Sequence, residues 1–217
     1  MKVKVCGLRA EENIKQLQKL PIDMMGFIFY KGSPRNMSDQ AALKELLADD
    51  NWNPEIKKVG VFVNAQIHDV LHEVHDFHLD YVQLHGNESP EYCHELNTLW
   101  SISSVRQAKI IKAFSIADAI DFQEVQRYES HCAFFLFDTK GKNPGGNGIH
   151  FDWQLLDNYR GITPFLLSGG ISEEDVTDLR KLQVPQLYGV DVNSKFEIEP
   201  GLKDVKRIEQ FVKLLNA

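Results

Sequence analysis

The chain lacks most of what would place it outside an ordinary globular class. It has three cysteines in 217 residues, Cys6, Cys93 and Cys132, widely spaced and without a CxxC pair. An odd, scattered set argues against a disulfide framework and leads us to expect a reducing, cytoplasmic setting. No apolar run approaches the roughly 18 residues that a membrane helix needs. The opening Met1-Lys2-Val3-Lys4-Val5-Cys6-Gly7 alternates charged and apolar residues and reads as a first strand, not a signal peptide. Positive charge is not in excess. The formal net charge is -7, so neither nucleic acid nor a membrane surface is an expected partner. No low-complexity tract or Gly/Ser linker divides the sequence, which predicts one domain over 1–217.

What recurs instead is a short apolar strand followed by an amphipathic helical segment. Strand candidates lie at Lys2–Cys6, Met24–Phe29, Lys58–Val63, Asp80–Leu84, Ile110–Phe114, Ala133–Asp138, Thr163–Ser168 and Tyr188–Val192. Most are continuous Val, Ile, Phe and Leu runs, as expected of parallel strands covered on both faces. Between them, Ile67, Val70, Leu71, Val74 and Phe77 fall at helix spacing, as do Val205, Ile208, Phe211, Val212 and Leu215. Ala41, Ala42, Leu46 and Leu47 mark a further helix, and Ser172 before three acidic residues marks a helix start. Eight short, even strand–helix units with no GxGxxG after the first strand predict a (β/α)₈ TIM barrel over an open dinucleotide-binding sheet.

Barrel chemistry sits at the C-terminal ends of the strands. Strand one ends at Cys6, which reads either as a thiolate base or as a buried apolar side chain. Strand six ends at Asp138, which closes an apolar run. It reads either as a proton donor or as a loop cap. Arg35 follows Ser33-Pro34 and has the planar fork that suits a carboxylate, or else it is a solvated surface residue. Ser168-Gly169-Gly170 and Asp191-Val192-Asn193-Ser194 follow strands seven and eight, where barrels often bind phosphate through backbone N–H groups and a helix N-terminus. His68, His72 and His75 share a helix face, but that face borders no strand end, and no metal is proposed.

Several segments together carry a resemblance to a known family. They are Lys4-Val5-Cys6-Gly7-Leu8, Gly26–Phe29 with Ser33-Pro34-Arg35, Val82-Gln83-Leu84-His85-Gly86-Asn87-Glu88, Phe135–Asp138, Pro144–Gly148, Leu167–Gly170, Tyr188–Val192 and Pro200–Asp204. In this order they resemble the phosphoribosylanthranilate isomerase family over nearly the whole chain. The resemblance implies an eight-fold barrel, no cofactor, a small phosphorylated substrate and an Amadori rearrangement in tryptophan biosynthesis. It implies that Asp138 is the general acid and Cys6 the general base, and that Arg35 holds the anthranilate carboxylate. Ser168, Gly169, Gly170, Asp191, Asn193 and Ser194 fall at its phosphate and sugar site. His85 lies in a matched motif near that site and takes no chemical step. The assembly expected is a monomer or a homodimer.

The chain departs from the family at Asn147, where threonine is usual, and at Asn193 and Lys195, where serine and glycine are usual. Lys195 leaves the path of the last loop open, or adds a cation for phosphate. Two other readings remain at this stage. One is an aldolase-type barrel with Lys112 as a Schiff-base amine. The other is a sugar-phosphate-binding barrel without catalysis.

Overall fold

The computed structural model describes residues 1–38, 40–102, 106–139 and 151–217. Eight parallel strands close on themselves in chain order: β1 (Lys2–Cys6), β2 (Met24–Ile28), β3 (Lys57–Phe62), β4 (Tyr81–Leu84), β5 (Lys109–Ile116), β6 (Phe134–Thr139), β7 (Phe165–Leu167) and β8 (Leu187–Val192). The predicted barrel and all eight predicted strands are present. The seam is the β1–β8 pair, in register with Lys4 opposite Asp191.

Strand alternation explains the two layers of core. Met24, Val59, Ile111, Leu136 and Leu166 point inward and pack with one another. Their neighbours Val3, Val5, Met25, Phe27, Val82 and Phe135 point outward into a larger core under the helices. Helices α1 (Glu11–Leu17), α2 (Ala41–Ala48), α3 (Ile67–Asp76) and α4 (Pro90–Ile102) follow the first four strands. Val70 and Val74 of α3 are buried as their spacing predicts, while His68 and His72 lie on its exposed face. The second half is thinner. Helix α5 (Phe122–Gln126) is short, and a 3-10 turn (Trp153–Asn158) occupies the described residues after β6. A 3-10 turn (Glu173–Asp175) and α6 (Val176–Leu179) follow β7. After β8 a hairpin of β9 (Glu197–Glu199) and β10 (Leu202–Lys203) precedes α7 (Val205–Asn216). The Asn13 side chain of α1 both donates to and accepts from the backbone of Lys203, and so docks that hairpin on the barrel.

The geometry corrects the aldolase reading. Lys112 points away from the barrel axis, and its Nζ donates to Leu84 O, Gly86 O and Glu88 Oε2 at 3.2, 2.8 and 3.1 Å. Glu88 also accepts from the backbone N–H groups of Asn64 and Gly86. Lys112 and Glu88 are thus a buried pin for the loop after β4, and no amine is offered to a substrate. Breaking a buried pair strands the other charge. Lys112→Met is expected to lower stability by about 3–5 kcal/mol in urea unfolding, while activity survives under folding conditions. A loss below about 1 kcal/mol would contradict the pin, since that is what an exposed pair is worth.

Candidate active site

A cavity of about 520 Å³ opens at the C-terminal end of the barrel, lined by Cys6, Arg35, His85, Asp138, Ser168, Gly169, Gly170, Asp191, Asn193 and Ser194 among others. All ten residues singled out from the sequence therefore meet in one space. Cys6 and Asp138 enter from β1 and β6, three strand steps apart around the ring. A ligand lying across the mouth stands between them.

Cys6 is buried, and the cause of its placement is local. Gly26 is its partner on β2, and a Cβ there would stand 2.6 Å from Cys6 Sγ and 3.1 Å from Lys4 Nζ. Only glycine leaves the sulfur that position. Burial holds the Cys6 thiol above its ordinary value, and the neighbouring Lys4 ammonium offsets only part of that rise. A thiolate needs a nearby positive or hydrogen-bonding group, and nothing in the sequence identified Lys4 as one.

Asp138 is half-buried at the opposite wall. His85 Nε2 lies 3.3 Å from its Oδ2. The Gln83 amide stands 2.9 Å from His85 Nδ1. Oriented as donor to Nδ1, that amide leaves the imidazole proton on Nε2, facing the carboxylate. His85 therefore stands with Asp138, whereas the sequence grouped it with the phosphate and sugar residues.

Arg35 is not a solvated surface arginine. It is 9% exposed, and its Nε and Nη2 form a fork on Glu197 at 2.8 and 2.5 Å. Glu197 Oε1 also accepts from Lys203 Nζ at 2.6 Å and from Gly201 N at 3.1 Å. Burial by itself would raise the Glu197 carboxyl, but Arg35 and Lys203 outweigh it and hold it below the ordinary range. Lys203 is buried too, which pushes its ammonium down against the pull of Glu197. It donates to Asn193 Oδ1 at 2.7 Å. Neither Glu197 nor Lys203 was legible as a site residue, because the contact with Arg35 spans 162 positions.

On the cavity floor both carboxylate oxygens of Asp191 are engaged. Its Oδ1 accepts from Lys4 Nζ at 2.7 Å and its Oδ2 from Ser168 Oγ at 3.1 Å. Above them Gly169 and Gly170 both have positive φ, +103° and +76°, and a Cβ on Gly169 would collide with Thr139. This turn requires glycine and brings backbone close to a ligand. The helix expected there is only a three-residue 3-10 turn before α6, so the dipole contributes little. Ser194–Phe196 forms a 3-10 turn without positive φ, and exposed Lys195 lines the cavity mouth. The glycine-rich stretch 141–148, with Asn147, lies outside the described residues.

The arrangement offers a buried thiol, a carboxyl group across the cavity, a held arginine and a glycine turn suited to an oxyanion. Known proteins resemble this chain over nearly its whole length. The sequence profile of the N-(5'-phosphoribosyl)anthranilate (PRA) isomerase family matches residues 3–214. The N-(5'-phosphoribosyl)anthranilate isomerase of Parabacteroides distasonis is 45% identical over 98% of this chain and 92% of its own. The solved phosphoribosyl anthranilate isomerase of Thermotoga maritima superposes with a TM-score of 0.82 at 30% identity, covering 100% of this chain and 98% of that one. A further structure of that enzyme type is described as a complex with reduced 1-(o-carboxyphenylamino)-1-deoxyribulose 5-phosphate. It matches at a TM-score of 0.78 and 28% identity over 100% and 98% of the two chains.

Two outcomes are expected. Gly26→Ala should displace the Cys6 sulfur and lower kcat about 100-fold with the fold retained by circular dichroism; wild-type turnover would show that the sulfur has room to spare. Glu197, held low, adds stability that is fully present above the ordinary glutamate value of about 4.3 and is lost as pH falls through its folded value. Glu197→Gln should therefore show a flatter fall of Tm between about pH 5 and pH 3 than the parent; an equally steep fall would contradict the assignment.

Proposed function

The chain belongs to the N-(5'-phosphoribosyl)anthranilate isomerase family and converts N-(5'-phosphoribosyl)anthranilate to 1-(o-carboxyphenylamino)-1-deoxyribulose 5-phosphate in tryptophan biosynthesis; on that premise we propose that Cys6 and Asp138 perform the acid–base chemistry. The observation that carries this reading is their entry into one cavity from β1 and β6. Asp138 donates a proton to the ribose ring oxygen as the C1–O bond breaks and the anilino nitrogen lone pair forms the Schiff base. Cys6, as thiolate, then takes the proton from C2, and the electron pair of that C–H bond returns the nitrogen to an enolamine. Tautomerisation moves the enol proton to C1 and leaves the ketone at C2. Substrate and product are isomers, and no cofactor enters this scheme. An acid and a base on different sides of the sugar are what two opposed proton transfers require.

Arg35 has Nε and Nη2 on Glu197, which leaves the two N–H donors of Nη1 for the anthranilate carboxylate. The phosphate is assigned to the backbone of Gly169 and Gly170 and to Ser194, with Lys195 adding charge at the mouth. Asp191 and Ser168 serve the sugar and phosphate end from below, since each is already bonded to the other. His85 orients the Asp138 carboxyl group. Among the described residues no helix is long and apolar enough to cross a membrane. We place the enzyme in the cytoplasm as a monomer or homodimer, which sedimentation at micromolar concentration distinguishes.

Loss of the substrate's anthranilate fluorescence measures turnover. Cys6→Ser and Asp138→Asn should each lower kcat/KM by about 100- to 10,000-fold with the fold intact. Lys195→Ala should raise KM several-fold and leave kcat near the parent value. Full activity in both the Cys6 and Asp138 variants would defeat the assignment of roles.

A further inference from the structure

Lys4 has no place in the scheme above, yet it is among the costliest side chains in the protein to bury. It lies two residues before Cys6 on β1, so the two share the inner face of the barrel. It is 0% exposed, and its Nζ donates to Asp191 Oδ1 at 2.7 Å and neighbours the Cys6 sulfur. The sulfur and the ammonium both border the space left by the missing side chain of Gly26. A buried lysine needs one carboxylate to compensate it. Here the ammonium is shared between a carboxylate and a thiol.

The charges packed around that sulfur come from four further segments. Asp191 comes from β8, Arg35 from the loop after β2, Glu197 from β9 and Lys203 from β10. With Lys4 these make three cations against two anions, a set that one thiolate would balance. Asp138 and His85 stand on the far wall, and Lys195 is at the exposed mouth.

We propose that Lys4 is a positioning residue of the reaction: its ammonium, steered by Asp191, holds the Cys6 sulfur in place and supplies the positive charge that lets Cys6 work as a thiolate. This role rests on Cys6 being the base. In the proton transfer Cys6 gains the C2 proton and becomes neutral, while Lys4 keeps its three protons throughout. Burial alone would push the Lys4 ammonium down, but Asp191 and Cys6 together hold it above the ordinary lysine value. Asp191 has the opposite effect on Cys6 from Lys4, pushing the thiol up.

That opposition provides the test. The thiolate of Cys6 is titrated by its ultraviolet absorbance, with the same variant carrying Cys6→Ser subtracted to remove Cys93 and Cys132. Lys4→Met should raise the Cys6 titration by about one pH unit or more. Alkylation by iodoacetamide near neutral pH should then slow about tenfold. Asp191→Asn keeps the shape and removes the competing charge, so it should move the same titration down. A merely structural role for Lys4 would not produce shifts of opposite sign. No shift in Lys4→Met, or a rise in both variants, overturns the proposal. Should Lys4→Met fail to fold, Lys4→Gln, which keeps a hydrogen-bond donor toward Asp191 without the charge, is titrated in its place: a rise supports the proposal, and no change or a fall overturns it. The base must be unprotonated, so kcat/KM falls as pH drops through the Cys6 titration. Its acidic limb should follow the thiol in each variant. If the thiol moves as stated and the limb does not, the Lys4–Cys6 coupling holds and the assignment of Cys6 as base fails.

Discussion

The ion pair between Lys4 and Asp191 joins the first strand of the barrel to the last, at the point where the ring closes. Desolvating two charges costs several kcal/mol per ion, and only good geometry with further hydrogen bonds recovers it. Asp191 meets that condition with a second acceptor contact from Ser168, and Lys4 has the Cys6 sulfur as its neighbour across Gly26. The seam thus works only as a network, and the network runs along the floor of the cavity. Closing the barrel and charging its floor are one structural event.

The rest of the site builds on that floor through a small number of anions. Glu197 gathers Arg35, Lys203 and Gly201, so the arginine that lines the cavity is held by the hairpin after β8. Asn13 fixes the same hairpin from α1. Glu88 gathers Lys112, Asn64 and Gly86 behind β4, which steadies the loop carrying His85 toward Asp138. Each reactive wall therefore has a buried carboxylate behind it whose partners lie far apart in the chain. A catalytic group held by packing and charge from behind loses little freedom when the substrate arrives.

The barrel was legible because inward and outward strand positions are both apolar, which makes each strand a continuous run such as Phe134–Phe137. The strand-end residues were legible because the fold fixes which end carries chemistry. The second-half helices were read less well. Ser172 does open a helical segment, with Asp175 closing a capping box on its backbone N–H, but that segment is only a 3-10 turn and the four residues of α6. Lys4, Glu197 and Lys203 were missed for a different reason. Their partners lie 187, 162 and 10 positions away, and nothing local marks a lysine inside a strand as buried. Lys112 shows the converse: a lysine near a strand end looked like a nucleophile until its partner Glu88 was seen from α4's side of the sheet.

The most direct trial of the account is a crystal structure of this enzyme with the reduced product analogue bound. Cys6 Sγ is expected in van der Waals contact with C2 of the sugar chain and the Asp138 carboxyl group beside the C4 oxygen, on opposite faces of the ligand. Both groups on one face, or either out of contact with the sugar, would contradict it.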